Sequence, residues 1–446
     1  MAEIAPFRGV RFAARAGRAL ADLLAPPYDL VTPEERAELL RTSPYNIAHL
    51  STGEGDPAAG PGLRFEETAR RWARWLEAGV LMRDPAPALY PVEQAFSAPD
   101  GRQVRRRGFL AALRLHDLAE GIVIPHERTQ ARAQPERLEL LRATRVNFSA
   151  LLGLYADERW QVEAALGEAT AGTPEVQTES EVGGQLRVWR ADRPEVMARL
   201  AALVEDQRVL LADGHHRYQV ALEYRRRVEA EDRSVSATGG HNYVLTLLCS
   251  LDDPGLVVYP VHRLVSAPGG PGLGALLEGL RPFFAIEPLS EDIHRPAGRA
   301  WAIARLAEHA GRSTAFLMLS AEDGRARVLT LRDDADLDAA GVPPGETARM
   351  IDLNVLHALV LKHLLGIDAG TSAGESQLAF VRDAQEAVTR VLSGEHRLGF
   401  LVNPPPMWQV RLLAEAGGTM PPRSTLFLPA LPAGLVMREL GLSAEG

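Results

Sequence analysis

The chain has 446 residues, with 49 Lys plus Arg against 58 Asp plus Glu and a formal charge of −9. Lys362 is the sole lysine, so 48 of the 49 basic residues are arginine. A Walker-type phosphate loop is thereby excluded, because it needs a lysine after its glycine run. A Schiff-base or kinase-strand lysine would have to be Lys362, which lies in the apolar stretch VLHALVLKHLLG.

From the N-terminus, the turn signals AGRA and LLAPPYDLVTPEE precede a helix that starts near Thr32-Pro33, with Thr32 as its cap and Pro33 in the first helical position. TGEGDPAAGPG (52–62) reads as a loop. Phe65, Ala69, Trp72, Ala73, Leu76 and Val80 recur at helical spacing and predict a helix over 65–81. ALYPVEQAFSAPDGRQVRRRGFLAALRL reads as a β-hairpin turning at Pro99-Asp100-Gly101. A helix follows within 128–144, at least beyond Pro135, and QLRVWRAD (185–192) reads as a strand.

RVLLADGHHRYQVALEYRRRV (208–228) reads as an apolar strand, a glycine turn and a helix. HNYVLTLLCSL (241–251) and GLVVYPVHRLV (255–265) are two further strands. Cys249 sits in the first of them, so a buried inert thiol is expected, and a single cysteine excludes an intrachain disulfide. The APGGPGLG patch after Ser266 resembles a linker and predicts two regions, 1–265 and 266–446. The second carries strands TAFLMLS and ARVLTLR, a helix over 352–366, strand QLAFVRD, a helix through Val391, strand LGFLVNPP and a helix around Gln409–Ala416. The proline-rich tail MPPRSTLFLPALPAGLVMREL predicts an ordered crossing segment.

This alternation predicts a mixed α/β (α+β) protein. The start MAEIAPFRGVRF has no apolar signal core and no stretch reaches membrane-span length, so a soluble cytoplasmic protein is expected, with no membrane partner. The acidic balance weighs against nucleic acid as a partner.

Five motifs could carry chemistry. In Asp213-Gly214-His215-His216-Arg217, Gly214 permits a tight strand-to-helix turn and the next residues start a helix whose free N–H groups favour an anion. Arg217 adds a forked cation for phosphate or carboxylate. A solvated helix cap is the plain alternative. Zinc is disfavoured, because adjacent histidines point apart. Pro125-His126-Glu127-Arg128-Thr129 places a carboxylate beside His and Thr after an apolar run, suited to a general base or a metal ligand, or simply a solvated turn. APPYD presents Tyr28 and Asp29 on a stiff turn. Pro260-Val261-His262-Arg263 ends a strand in a cationic pair, and Met420-Pro421-Pro422-Arg423-Ser424-Thr425 combines arginine with two hydroxyls; both also read as structural turns.

Together PFRGVRF, APPYD, SPYNI, PHERT, DGHHRYQVAL, YPVHR, NPPPM and MPPRSTLF, in that order from residue 6 to 428, resemble the bacterial and archaeal family called domain of unknown function 1015. The D-G-H-H-R turn is also similar to the phosphate-binding turn of the ParB and sulfiredoxin superfamily and of free-serine kinases. The resemblance implies a ParB/sulfiredoxin-like nucleotide-binding region with large insertions in 1–265, followed by a C-terminal α/β region. It implies that Gly214, His215, His216 and Arg217 hold a phosphate chain, joined by Arg263, Arg423 and Ser424. It further implies that Glu127 is a general base assisted by His126, that Asp213 orients a histidine or a metal-bound water, and that Tyr28, Asp29 and Thr129 meet the substrate.

The implied activity is phosphoryl transfer from a nucleotide (ATP or ADP) or pyrophosphate, with Mg²⁺, to a small hydroxylated metabolite, serine or phosphoserine first. A nucleotide-binding regulator without turnover uses the same residues, and DNA binding of the ParB kind is a third reading. Two positions depart from the family pattern: Arg423 replaces the lysine of M-P-x-K-S-T, and His49 stands where an arginine is expected.

Overall fold

The structure is a computed structural model that describes residues 1–53, 61–98, 101–128, 135–180, 184–205, 207–232, 234–266 and 269–441. The chain forms two compact units, each described by itself: 1–125, 130–257 and 427–446 make one, 126–129 and 258–426 the other. Both mix helices with sheets, as the alternation of patterns predicts.

The first unit is built on a nine-stranded sheet. The strand Tyr243–Ser250, all of whose residues are buried, runs parallel to Leu151–Tyr155 and antiparallel to Gln103–Arg114. The near-continuous apolar run YVLTLLC suits a strand covered on both faces. Gly108 permits the close pairing there, since a Cβ on it would stand 2.4 Å from the Leu248 carbonyl oxygen. Gln103–Arg114 pairs antiparallel with Tyr90–Ser97, the expected hairpin, while Pro99 and Asp100 of its turn lie outside the described residues. Val209–Asp213 lies between Leu151–Tyr155 and Val123–Pro125. Helices Gln161–Ala169, Pro194–Glu205 and His215–Glu231 supply Val162, Leu166, Leu200, Val204, Tyr218 and Leu222 to the core over this sheet.

A four-stranded sheet orders Leu81–Arg83, Gly9–Phe12, Met437–Glu439 and Val146–Asn147. The helix Pro61–Glu77 packs Trp72 and Trp75 into its core. Thr32 caps the helix Pro33–Thr42, accepting from the Glu35 N–H, while Glu35 accepts from the Thr32 N–H, a reciprocal capping box. Cys249 is fully buried and burial pushes its thiol up to about 12, which fits the expected inert side chain.

The second unit carries a six-stranded antiparallel sheet, ordered Phe284–Pro288, Arg325–Leu331, Ala315–Ser320, Leu398–Val402, His262–Val265 and Leu378–Val381. Helices Pro296–Ala307 and Ala384–Leu392 bury Ala302, Leu306, Val388 and Val391 against it. The strand expected over 255–265 is split into Val258–Tyr259 and His262–Val265, because Pro260 has no N–H to continue a ladder. The helix expected over 352–366 is a short α-turn, Asp352–Val355, running into a π-helix, Leu356–Leu364; nothing in the residue pattern explains the widening.

The glycine and proline patch after Ser266 lies inside this second unit, between the strand His262–Val265 and the helix Leu273–Leu280. A local run of turn residues marks a loop, but contact density decides where a compact unit ends, and here that is at residue 257. Among the described residues, no helix is long and apolar enough to cross a membrane.

Candidate functional site

The D-G-H-H-R turn has the predicted local geometry. Val209–Asp213 is a buried strand, Gly214 takes φ +87°, and His215 opens a 17-residue helix. A side chain at Gly214 would be strained by that φ, and its Cβ would lie 2.5 Å from Leu151 Cδ2 and 3.1 Å from Arg217 Cζ. The N-cap residue, Gly214, makes no side-chain cap hydrogen bond. The first-turn N–H groups carry the positive end of the helix dipole.

Arg217 lies under this turn, its side chain 10 % exposed. Nη2 donates to Asp213 Oδ2 at 2.8 Å and Nη1 to Ser149 Oγ at 3.3 Å, with a further bond from Nη1 to the Ala150 carbonyl. Nε stands 3.5 Å from Asp29 Oδ2 without forming a hydrogen bond. Burial opposes the Arg217 charge, but Asp29 and Asp213 more than compensate and hold its pKa above the ordinary value. The Asp213 carboxyl is itself held above the usual range by desolvation, with Asp29 adding to the shift and Arg217 opposing it.

Tyr28 stands beside these charges. Burial, then Asp29, raises its pKa, and the Arg137 guanidinium lies 3.8 Å over its ring. Of the buried polar atoms here, Tyr28 Oη, His216 Nδ1 and Arg217 Nε have no hydrogen-bond partner among the described residues. Buried polar atoms are normally paired, so such a group marks a place where a ligand or water completes the bonding. Asp213 also lines a narrow cleft with Arg106 and a set of apolar side chains.

A second constellation belongs to the other unit. The strap His126-Glu127-Arg128 pairs with Met420, whose N–H donates to the His126 carbonyl at 2.8 Å, while the Arg128 N–H donates to the Met420 carbonyl at 2.9 Å. Glu127 Oε1 accepts from Ser424 N–H (3.0 Å), Thr425 N–H (2.8 Å) and the Thr425 hydroxyl (2.8 Å); Oε2 accepts from Arg423 N–H (3.0 Å). Arg423 has φ +56°, which helps turn these successive N–H groups onto one carboxylate. His126 Nε2 meets the Thr425 hydroxyl at 2.6 Å.

Arg263 is fully buried; its Nε donates to His357 Nε2 at 3.1 Å and its Nη2 to the Pro422 carbonyl at 3.3 Å. Burial pushes Arg263 down to about 9 and His357 well below its ordinary value. The guanidinium groups of Arg263 and Arg423 stand 5.2 and 4.7 Å from the Phe380 ring.

Most of the residues singled out in the sequence have a place in one of the two constellations. Tyr28, Asp29, Asp213, Gly214, His216 and Arg217 gather at one helix start, which His215 opens. His126, Glu127, Arg423 and Ser424 gather at the 420–425 turn, with Arg263 beside it. Thr129 lies outside the described residues. Arg137, Ser149, Arg106, His357 and Phe380 were not singled out, because isolated arginines, hydroxyls and aromatics carry no motif. Lys362, the sole lysine, is exposed and pairs with Asp368 at 2.7 Å.

No curated protein matches the chain significantly. Among solved structures, a conserved hypothetical protein from Pyrococcus furiosus is similar over 72 % of this chain and 92 % of its own, at 13 % identity and TM-score 0.34. A free serine kinase in complex with AMP is similar over 72 % and 89 %, at 13 % identity and TM-score 0.34. C-terminally truncated SbnI from Staphylococcus aureus is similar over 75 % and 87 %, at 9 % identity and TM-score 0.34. The sequence profile of the family described as "Protein of unknown function (DUF1015)" matches residues 4–356, and the chain belongs to that family.

Proposed function

We propose that the chain is a nucleotide- or pyrophosphate-dependent phosphotransferase acting on a small hydroxylated metabolite, serine first. The observation that carries this reading is the helix start at His215, whose N-cap Gly214 has no capping side chain, with Tyr28 Oη, His216 Nδ1 and Arg217 Nε buried beside it without a hydrogen-bond partner among the described residues. Helix-start N–H groups, a dipole and forked positive charge are what a phosphate chain requires. The sequence likeness of D-G-H-H-R to the turn of free-serine kinases supports serine as the first acceptor to try.

In this reading the N–H groups of His215, His216 and Arg217 hold the terminal phosphates. Tyr28 Oη and Arg217 Nε add donors. The acceptor oxygen bonds to phosphorus as the bond to the leaving phosphate breaks, and the hydroxyl proton passes to Asp29. Mg²⁺ usually binds through one or two carboxylates plus substrate phosphates, and Asp213 would supply that share. Among the described residues, no group of three or more His, Cys, Asp and Glu could hold a metal by itself, so the phosphates would be needed to complete the site. Glu127 already accepts four hydrogen bonds, so we assign it first to holding the 423–425 turn.

Incubation with serine, Mg²⁺ and ATP, ADP or pyrophosphate should yield phosphoserine, and Arg217→Ala should abolish it. No turnover with any donor in either direction would sink the reading. One observation favours a second reading, a nucleotide-binding regulator: both carboxylate oxygens of Glu127 and most donors of Arg217 are engaged within the chain. Nucleotide binding without turnover of serine or other hydroxylated acceptors would select it.

A further inference from the structure

We propose that Arg137 is a positioning residue for the phosphate site: it holds the Tyr28 ring so that the phenol hydroxyl meets the donor's phosphates; this rests on the phosphotransferase reading above. The Arg137 guanidinium lies 3.8 Å over the Tyr28 ring, and its Nη1 donates to the Ser51 carbonyl at 3.2 Å and to the Thr52 carbonyl at 3.4 Å. The guanidinium is thus anchored at one edge to carbonyls at the end of the short helix Ala48–Ser51, while its face is laid on the ring.

Tyr28 needs such a hold. It opens the short helical turn Tyr28–Leu30 directly after Pro27, so no long helix or strand fixes its side chain. Its hydroxyl is buried without a hydrogen-bond partner among the described residues, so no hydrogen bond there sets its direction. A cation over an aromatic face is attracted by the ring quadrupole, and more strongly where water is excluded. The stack restrains the ring plane, and the ring plane carries Oη. Burial and then Asp29 raise the Tyr28 pKa, and Arg217 and Arg137 oppose the rise. A phenol close to positive charge is also a stronger donor toward a phosphate oxygen.

The brace runs back to the phosphate site. Arg137 is carried by the helix Pro135–Thr144, whose Leu138 and Leu141 pack with Val220 and Tyr224 of the helix that starts at His215. The element that supplies the phosphate-binding N–H groups therefore also supports the element that holds Tyr28. In this role Arg137 acts through Tyr28 and not by touching the donor.

Titration calorimetry of ATP, ADP and pyrophosphate, each with Mg²⁺, on the full chain tests this in a double-variant cycle. Arg137→Met should weaken the tightest of these donors roughly tenfold, about as much as Tyr28→Phe, the range for losing one hydrogen bond to a charged group. In the Tyr28→Phe background, Arg137→Met should weaken it no further, whereas a purely structural loss would act in both backgrounds. Arg137→Lys keeps a cation for the ring and should restore most of the affinity. Should Arg137→Met not fold, Arg137→Gln takes its place in the same cycle. Unchanged affinity in Arg137→Met, no rescue in Arg137→Lys, or losses that multiply in the double variant each overturn this inference and leave the phosphotransferase reading intact. No binding of any of the three donors by the unaltered chain overturns both.

Discussion

Asp213 and Arg217, four residues apart, hold each other at 2.8 Å across the first turn of the helix that starts at His215. The contact fixes the guanidinium beneath the helix start, and Asp29, 3.5 Å from Nε, balances it from the APPYD turn. The positive charge is therefore set in place before any ligand arrives, and the ligand does not have to order it.

Arg217→Lys tests that arrangement. An ammonium keeps the charge but cannot reach Asp213, Ser149 and the Ala150 carbonyl at once. Nucleotide affinity should fall roughly tenfold to hundredfold, the range for losing one or two charge-assisted bonds. Titration calorimetry reads it, and an unchanged affinity would remove Arg217 from the phosphate site.

Gly214→Ala should cost about 1–2 kcal/mol in urea unfolding from its left-handed φ alone, with an added cost because the new Cβ meets Leu151 Cδ2 at 2.5 Å. Wild-type stability in this variant would show that the turn relaxes easily, contrary to a rigid phosphate cradle.

Glu127→Gln separates two roles for that carboxylate. Glutamine offers one acceptor oxygen and an NH₂ group to a site with three backbone N–H donors and one hydroxyl. Stability should drop by about 1–3 kcal/mol through the unmade bonds. If stability is unaltered and only turnover is lost, Glu127 is the general base and not the keeper of the turn.

Asp352 gives a pH dependence with a definite sign. Burial raises its carboxyl to about 7, although the Thr314 hydroxyl and the Ala315 N–H oppose the shift. The folded chain keeps a proton that the unfolded chain releases near pH ~4, so unfolding free energy falls as pH rises from ~4 to about 7. Asp352→Asn keeps an acceptor oxygen for both donors and should flatten that slope. Urea unfolding at several pH values reads it; an equal slope in both proteins would place the titration elsewhere.

The sequence by itself determined the strand, the glycine turn and the helix around Asp213–Arg217, the hairpin through residue 101, the Thr32 cap and the inert Cys249. Each of these depends on periodicity, φ preference or burial of an apolar run, which neighbouring residues set among themselves. Tertiary structure alone decided that Tyr28 and Asp29 stand beside Arg217, that Arg137 covers Tyr28, that Arg106 lines a cleft with Asp213, and that Glu127 is enclosed by the N–H groups of Arg423, Ser424 and Thr425. Those pairs are far apart in the chain, and sheet registry and loop closure bring them together; no local pattern encodes which distant carboxylate a given arginine or backbone turn will meet. The division at residue 257, ahead of the glycine and proline patch, follows the same rule, because a unit ends where contacts thin out and not where turn residues cluster.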